Sequence, residues 1–410
     1  MKQFEVPNGY RSRLISAIKQ KRKEQDKLKK DYSPTLLDLG KLKFHLARHF
    51  GFCYGVENAI DIAYKTIEEN KGKRIFLLSE MIHNPQVNED LLQKGVRFLQ
   101  DTNGNELIPL NTLTADDVVI IPAFGTTLEL EAKIKEKGID IQKYNTTCPF
   151  VEKVWNRSEQ IAKKGYSILI HGKPKHEETR ATFSHAASNT PSLILNDMED
   201  TIVLGKIITG ALPLSEFEKY FEGRYSPEFN PVIHLQKFGV VNQTTQLATD
   251  TQAISDYLKQ IITEKYGLAN LAEHFADTRD TLCYATNDNQ SAVIGLLNTP
   301  ADLAIVMGGK NSSNSSHLVE LCERKLPTFF IDDVNKIIST NEIISTDWRT
   351  KKECTLHNFL PNKPNVNILI TSGASCPDTV VEAVIHKIAS FYAIEGYFDC
   401  LVEKWETLMN

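Results

Sequence analysis

Three of the seven cysteines, Cys53, Cys148 and Cys283, lie far apart in the chain, each beside small or turn-forming residues. Cysteine thiolates are the usual ligands of a 4Fe–4S cluster, one to each iron. Three such ligands would leave one iron open, and an open position lets a metal act as a Lewis acid. The spacing alone leaves two alternatives open: a zinc site, or three cysteines buried as small apolar residues.

The cysteine count and the composition restrict where the protein works. Seven cysteines without a close Cys-x-x-Cys pair argue against a disulfide framework and favour reduced thiols in the cytoplasm. A net charge of -5 gives no reason to expect nucleic-acid binding. The sequence also predicts no membrane helix and no secretory signal. We expect four cysteines to be dispensable for metal binding: Cys322, Cys354, Cys376 and Cys400.

A second chemical feature is the segment 308–316, which contains two glycines, one lysine and four serines. Backbone amides and hydroxyls of such a loop at a helix start can bind phosphate. The spacing is not that of a Walker loop, so a nucleoside triphosphatase is not supported. For the segment alone, an ordinary turn is the alternative. Ser375, after another apolar run, could bind the same anion.

Two histidines and one glutamate could act on such an anion. His83 and His176 are placed to bind a phosphate oxygen or move a proton, although either could be a capping or core histidine. We assign His171 a structural role. A partly buried Glu178 carboxyl near an anion would have a raised pKa and could act as a general acid. Its alternative role is to complement the dipole at a helix start.

The elements that position these residues are short apolar runs separated by helix-length amphipathic segments. This pattern predicts buried parallel strands in an α/β fold. Polar loops follow most of the runs, and ligands bind beyond the carboxyl ends of such strands. Together the loops therefore indicate one shared site. The runs are 75–78, 118–121, 167–170, 193–195, 239–241, 303–307, 329–331 and 366–370.

The cysteines also suggest how the chain is divided. We predict three related α/β lobes with mostly parallel sheets, each entered through a cysteine: residues 44–147, 148–282, and 283–410 with a C-terminal tail. Residues of about 197–235 look like an insertion in the second lobe. Without it, the cysteine spacings of 95 and 135 residues become nearly equal.

Residues 1–43 form a basic N-terminal arm. Its first 32 residues contain ten Lys or Arg and four Asp or Glu. We interpret it as a solvated surface helix, with a docking arm as the alternative. The four acidic residues argue against a transit peptide.

Six segments, in order, resemble the motifs of 4-hydroxy-3-methylbut-2-enyl diphosphate reductases of the non-mevalonate isoprenoid pathway. The resemblance covers roughly residues 44 to 390, and the combination is far more specific than any one match. The segments are 51–56 (GFCYGV), 82–88 (IHNPQVN), 147–149 (TCP), 243–245 (QTT), 310–315 (KNSSNS) and 372–375 (SGAS).

The resemblance implies three lobes, related by pseudo-threefold symmetry, around one central 4Fe–4S cluster. Its ligands would be Cys53, Cys148 and Cys283, and the open fourth iron would bind the substrate's allylic hydroxyl. Thr244 would bond the hydroxyl end, and Glu178 would donate the proton that lets water leave. The products would be isopentenyl and dimethylallyl diphosphates. The residues implied for the diphosphate are His83, His176, Ser312, Ser313, Asn314 and Ser375.

The sequence departs from the common bacterial form of that family. Phe124 stands where a histidine is usual, and whether His171 or a water replaces it is open. The insertion and the basic arm resemble the branch found in cyanobacteria and plastids. That branch implies ferredoxin, or a flavodoxin, as electron donor. A monomer and a homodimer are both compatible with the sequence.

Two other classes of protein would use only part of this set of residues. A cluster- or zinc-binding regulatory protein on the same fold would need the cysteines, but neither Glu178 nor the serine-rich loop. A phosphosugar or nucleotide enzyme without metal would use the anion loops and leave the three cysteines without a role. The joint presence of all these features favours the reductase.

Overall fold

The computed structural model describes residues 4–276, 278 and 281–394. Cys400 and the end of the predicted C-terminal tail lie outside these residues. The chain divides into two compact units. The first comprises Met1–Glu57, His83–Val87 and Tyr284–Asn410, and the second comprises Asn58–Ile82 and Asn88–Cys283.

Strands and helices are numbered in chain order. The strands are β1 (Thr35–Asp38), β2 (Leu42–Leu46), β3 (Ile75–Leu77), β4 (Val96–Phe98), β5 (Val118–Ile120), β6 (Ser167–His171), β7 (Ser192–Leu195), β8 (Phe238–Asn242), β9 (Phe275–Ala276), β10 (Leu303–Met307), β11 (Thr328–Ile331), β12 (Glu342–Thr346), β13 (Glu353–His357) and β14 (Val366–Ser372). The helices are α1 (Arg13–Gln25), α2 (Tyr54–Glu69), α3 (Pro85–Gln93), α4 (Leu128–Lys135), α5 (Pro149–Ala162), α6 (Glu177–Ala187), α7 (Met198–Thr209), α8 (Phe217–Phe221), α9 (Pro231–His234), α10 (Ala248–Tyr266), α11 (Leu271–His274), α12 (Tyr284–Leu296), α13 (Ser313–Glu323) and α14 (Asp378–Ser390).

The first unit is built on a five-stranded sheet in the order β1-β2-β14-β10-β11. β1 and β2 are antiparallel, whereas β14 runs parallel to both β2 and β10. All residues of β10 are buried, as expected for a central parallel strand that is covered on both faces. An antiparallel hairpin of β12 and β13 also belongs to this unit.

The structure of the N-terminal segment differs from two expectations drawn from the sequence. The predicted arm boundary between residues 43 and 44 falls inside β2, which pairs with β14 in the main sheet of this unit. The first turns of α1 are not a solvated surface helix, because Leu14, Ile15 and Ile18 are buried. Alternating apolar residues in β2 and an apolar stripe in α1 bury this segment despite its many lysines.

The second unit contains two parallel sheets. One has the order β4-β3-β5 and the other β7-β6-β8-β9. The region predicted as an insertion is largely helical, because α7, α8 and α9 lie within it. Leu204, Phe217, Phe221 and Phe229 from this region join a buried cluster with β6, β7 and β8.

The fold class predicted from the sequence, α/β with mostly parallel sheets, is confirmed. All eight predicted apolar runs form strands, extended or shortened by one or two residues at most. The boundaries of three lobes remain a prediction. Within the described part of the chain, no helix is long and apolar enough to span a bilayer.

Candidate active site

Each of the three cysteines with a predicted ligand role lies immediately before a helix. Cys53 precedes α2, Cys148 precedes α5 and Cys283 precedes α12, and all three side chains are partly exposed. At this position a thiolate faces the unpaired first-turn N–H groups and the positive end of the helix dipole. Backbone N–H groups at this position can donate hydrogen bonds to the sulfur.

The Cys53 thiol shows this arrangement most clearly. Burial raises its pKa, while hydrogen bonds from the backbone amides of Val56 and Gly55 act in the opposite direction. The Cys53 amide donates to the Ala374 carbonyl oxygen at 3.2 Å. The loop after β14 therefore holds the backbone at Cys53, and the start of α2 faces its sulfur.

The N-terminal segment packs around the same cysteine. The residues before and after Cys53 in the chain are aromatic, and each packs against an aromatic ring of the N-terminal segment. Tyr10 meets Phe52 with ring centroids 5.8 Å apart, and Phe4 meets Tyr54 at 4.9 Å. The segment predicted as an arm therefore supports the Cys53 loop.

Other cysteines occupy different surroundings. Cys322 and Cys376 are buried, and burial raises the pKa of each thiol to about 12. Both are enclosed in the protein, whereas the three cysteines with a predicted ligand role remain partly exposed. Cys354 is exposed on β13.

The predicted anion loop forms the start of α13 in the first unit. Ser312 caps the helix, because its Oγ accepts a hydrogen bond of 3.2 Å from the Ser315 amide. Asn314 Oδ1 accepts from the Ala374 amide at 2.9 Å. Asn314 is buried, and its Nδ2 has no hydrogen-bond partner among the described residues. A buried, unsatisfied donor is costly unless a ligand supplies the acceptor, which fits an anion site.

His83 and Ser375 lie together in the first unit. The Ser375 hydroxyl donates to the His83 carbonyl oxygen at 3.1 Å. A Cβ on Gly309 would lie 2.2 Å from that same oxygen, so only glycine permits this approach. The loops after β10 and β14 therefore meet at His83, which joins the predicted anion residues of this unit in one region.

The residues predicted to act on the hydroxyl end come together in the second unit. The Thr244 amide donates to Glu178 Oε1 at 2.5 Å, and the Thr244 carbonyl accepts from the Cys283 amide at 3.1 Å. His176 caps α6, since its Nδ1 accepts from the Glu178 amide at 3.2 Å. A neutral histidine that accepts at Nδ1 carries its proton on Nε2, where it can donate to a ligand.

The structure also bears on the missing family histidine. The Phe124 ring packs edge-on against His176, with centroids 5.6 Å apart and planes at 85°. Phe124 therefore packs against a residue of the predicted anion set. His171 lies in β6, and its Nδ1 is 3.4 Å from Thr251 Oγ1 on α10, which matches the structural role expected for it.

Gln243 is a structural contributor that the sequence reasoning did not single out. Its Oε1 accepts from the Lys173 amide at 3.1 Å and from Thr179 Oγ1 at 3.0 Å. The side chain thus joins the loop after β8 to the loop before α6, which sets Thr244 against Glu178. Its place in the QTT motif was the available signal.

The donors are of the kind that holds an iron–sulfur cluster: three partly exposed cysteine thiols, each at a helix start. Within the described residues, no group of three or more His, Cys, Asp or Glu side chains is arranged to hold a metal ion.

The fold and these sites define an α/β protein with three cysteines at helix starts and a serine-rich loop at the start of α13. A family model described as LytB protein matches residues 44–389. The chain belongs to this family, and the resemblance drawn from the sequence motifs is confirmed.

Similar proteins of known name span nearly the whole chain. A 4-hydroxy-3-methylbut-2-enyl diphosphate reductase of Prochlorococcus marinus (strain MIT 9211) is 38% identical over 395 residues, covering 96% of this chain and 93% of that protein. A protein of the same name from Cyanothece sp. is 39% identical over 351 residues, covering 85% and 84%. A solved reductase structure from Plasmodium falciparum is similar in fold, with a TM-score of 0.59, 22% identity and coverage of 83% and 86%.

Proposed function

We propose that the chain is a 4-hydroxy-3-methylbut-2-enyl diphosphate reductase that forms isopentenyl and dimethylallyl diphosphates. Family membership and the names of relatives covering most of the chain support this activity. The observation that carries it is the hydrogen-bonded series Glu178–Thr244–Cys283. It places a carboxyl group two hydrogen bonds from the backbone of a candidate cluster ligand.

We propose that the diphosphate is held by neutral donors. The unsatisfied Asn314 Nδ2 and the N-terminus of α13 offer N–H groups to phosphate oxygens. His176 would donate from Nε2, because its Nδ1 is engaged by the Glu178 amide. His83, Ser312, Ser313 and Ser375 complete the proposed set.

Cys53, Cys148 and Cys283 are proposed as ligands of one 4Fe–4S cluster. The basis is their shared position before a helix, together with the family motifs that contain two of them. When bound, such a cluster would supply electrons one at a time, and an iron without a protein ligand would provide Lewis-acid chemistry for the hydroxyl end of the substrate. The three lobes proposed from the sequence would each contribute one of these cysteines.

Glu178 is the proposed acid of the reaction. The reaction consumes two electrons and two protons: the allylic C–O bond breaks, water leaves and one C–H bond forms. Glu178 supplies the proton that converts the departing hydroxyl into water. Thr244 would hold the hydroxyl end, and its amide fixes the Glu178 carboxyl group in place.

The electron donor is proposed to be a ferredoxin or a flavodoxin, since either can deliver single electrons. The proposed setting is the cytoplasm, without a membrane or nucleic-acid partner. A monomer and a homodimer both remain compatible with this function.

Turnover by anaerobically purified protein tests the proposal. Given a reduced viologen dye as one-electron donor, the protein should convert the substrate into both products and release one water per turnover. An iron-loaded protein that binds the substrate but does not reduce it would contradict the proposal and favour the regulatory alternative.

A further inference from the structure

The residue that follows Cys283 touches the residue that follows Cys53. The Tyr54 backbone amide donates a 2.9 Å hydrogen bond to the Tyr284 hydroxyl. We infer that Tyr284 is a positioning residue that holds the start of α2, and therefore the Cys53 sulfur, in the geometry needed to bind the cluster. This inference rests on the proposed function.

The first-turn amides of α2 show why the hydroxyl matters. A helix leaves its first N–H groups without partners inside the helix. The Glu57 amide bonds the Cys53 carbonyl at 3.0 Å, and the amides of Gly55 and Val56 point to the Cys53 thiol. The Tyr54 amide would be the one left over, and the Tyr284 hydroxyl accepts its hydrogen bond. Every N–H of this turn therefore has a defined acceptor.

The position of the Tyr284 ring is itself fixed. Tyr284 is the first residue of α12, and the Lys29 ammonium lies 5.4 Å from the centroid of its ring. Lys29 also pairs with Asp288, one turn along α12, at 3.0 Å. The ring is thus held between its helix and a cation, so its hydroxyl meets α2 at a set place.

The contact between Tyr284 and Tyr54 should affect the reduction potential of the cluster and the retention of its iron. Hydrogen bonds to ligand sulfurs set the reduction potential of an iron–sulfur cluster, and groups that orient the ligands affect how firmly the metal is held. With the hydroxyl removed, the Tyr54 amide loses its acceptor and the start of α2 is free to shift. The sulfur of Cys53 then moves with it.

Tyr284→Phe is the direct test, because it removes one hydroxyl and keeps the ring. Tyr64→Phe is the matched control: it removes the same group from a partly exposed ring farther along α2. Anaerobic, cluster-loaded proteins are exposed to an iron chelator, and the midpoint potential is measured by a titration followed by electron resonance. We expect Tyr284→Phe to release iron on the order of tenfold faster and to show a shifted potential. Tyr64→Phe should match the unmodified protein in both.

Two results would overturn the inference. If Tyr284→Phe releases iron at the unmodified rate with an unchanged potential, Tyr284 has no positioning role, even if the apoprotein unfolds at a lower temperature. In that case the proposed function stands, because the unmodified protein holds its cluster. If the unmodified protein carries no iron, the proposed function fails and this inference fails with it.

Discussion

The Thr244 backbone amide donates a 2.5 Å hydrogen bond to the Glu178 carboxylate, although 66 residues separate the two in sequence. Glu178 lies in the first turn of α6, and Thr244 follows β8. In a parallel sheet the carboxyl ends of neighbouring strands lie on one edge, and β6 and β8 are neighbours. The sheet therefore brings an acid and a hydroxyl residue together beside Cys283.

Changing Glu178 to glutamine should abolish most turnover while the cluster is retained. Glutamine keeps an oxygen that can accept the Thr244 amide, so the local structure should persist. It cannot donate a proton as an acid, and general acid catalysis contributes roughly 10²- to 10⁴-fold to a rate. We expect a loss of kcat in that range in a steady-state assay, with iron content unchanged.

Glu177→Gln is the matched control for that change, because it alters the neighbouring carboxyl on the same turn of α6. Turnover should stay close to that of the unmodified protein. A Glu178→Gln protein that works at the normal rate would show that another group supplies the proton.

Asn314→Asp should weaken substrate binding. Aspartate retains the oxygen that accepts from the Ala374 amide but replaces the buried Nδ2 donor with an acceptor. A lost hydrogen bond to a charged group is worth about 1.5–3 kcal/mol, so KM should rise roughly 10- to 150-fold. Inorganic pyrophosphate should bind correspondingly less well in calorimetry.

The exposed Asn335 offers the control, since Asn335→Asp adds the same charge on the surface. Its KM should not change. Unaltered pyrophosphate binding in Asn314→Asp would remove Asn314 from the proposed diphosphate site.

Gly309→Ala should destabilise the fold around His83. The added Cβ would lie 2.2 Å from the His83 carbonyl oxygen, so backbone must move. Overpacking of this kind costs about 1–3 kcal/mol of unfolding free energy. Denaturant unfolding of the apoprotein measures it. A Cβ on Gly9 would meet no atom within 4 Å, so Gly9→Ala should be neutral; equal stability of the two variants would contradict the contact.

The cysteines should separate into two groups by iron content. Cys53→Ser, Cys148→Ser and Cys283→Ser should each lose most iron, because each removes a thiolate at a helix start. Cys322→Ala and Cys376→Ala should keep it, since both side chains are enclosed in the protein and the three predicted ligands are partly exposed. Cys354→Ser should also keep it. Loss of iron in Cys376→Ala would reassign a ligand.

The central strands were predictable because a strand buried on both faces leaves an apolar run that needs no partner to be recognised. β10 matches its predicted run in full. Strands without a continuous apolar run were not found. β2 alternates apolar and polar residues instead of forming a run, and β13 is exposed along its whole length. Their places depend on pairing with β14 and β12, which local sequence does not specify.

Prediction of the candidate site from the sequence was likewise incomplete. Glu178, Thr244 and Ser375 were predictable as site residues because motifs at strand ends mark them. Tyr284 and Gln243 were not, since their roles come from hydrogen bonds to residues distant in sequence. The packing of Phe124 on His176 could not be predicted either, because the sequence shows only that a histidine is replaced.

Iron and acid-labile sulfide analysis of the anaerobically purified, unmodified protein tests whether the chain holds one 4Fe–4S cluster. We expect about four irons and four sulfides per chain, as one such cluster requires. The same sample should show an electron resonance signal after one-electron reduction. Stoichiometric zinc with neither iron nor sulfide would contradict the assignment of Cys53, Cys148 and Cys283, and the proposed reductase with it.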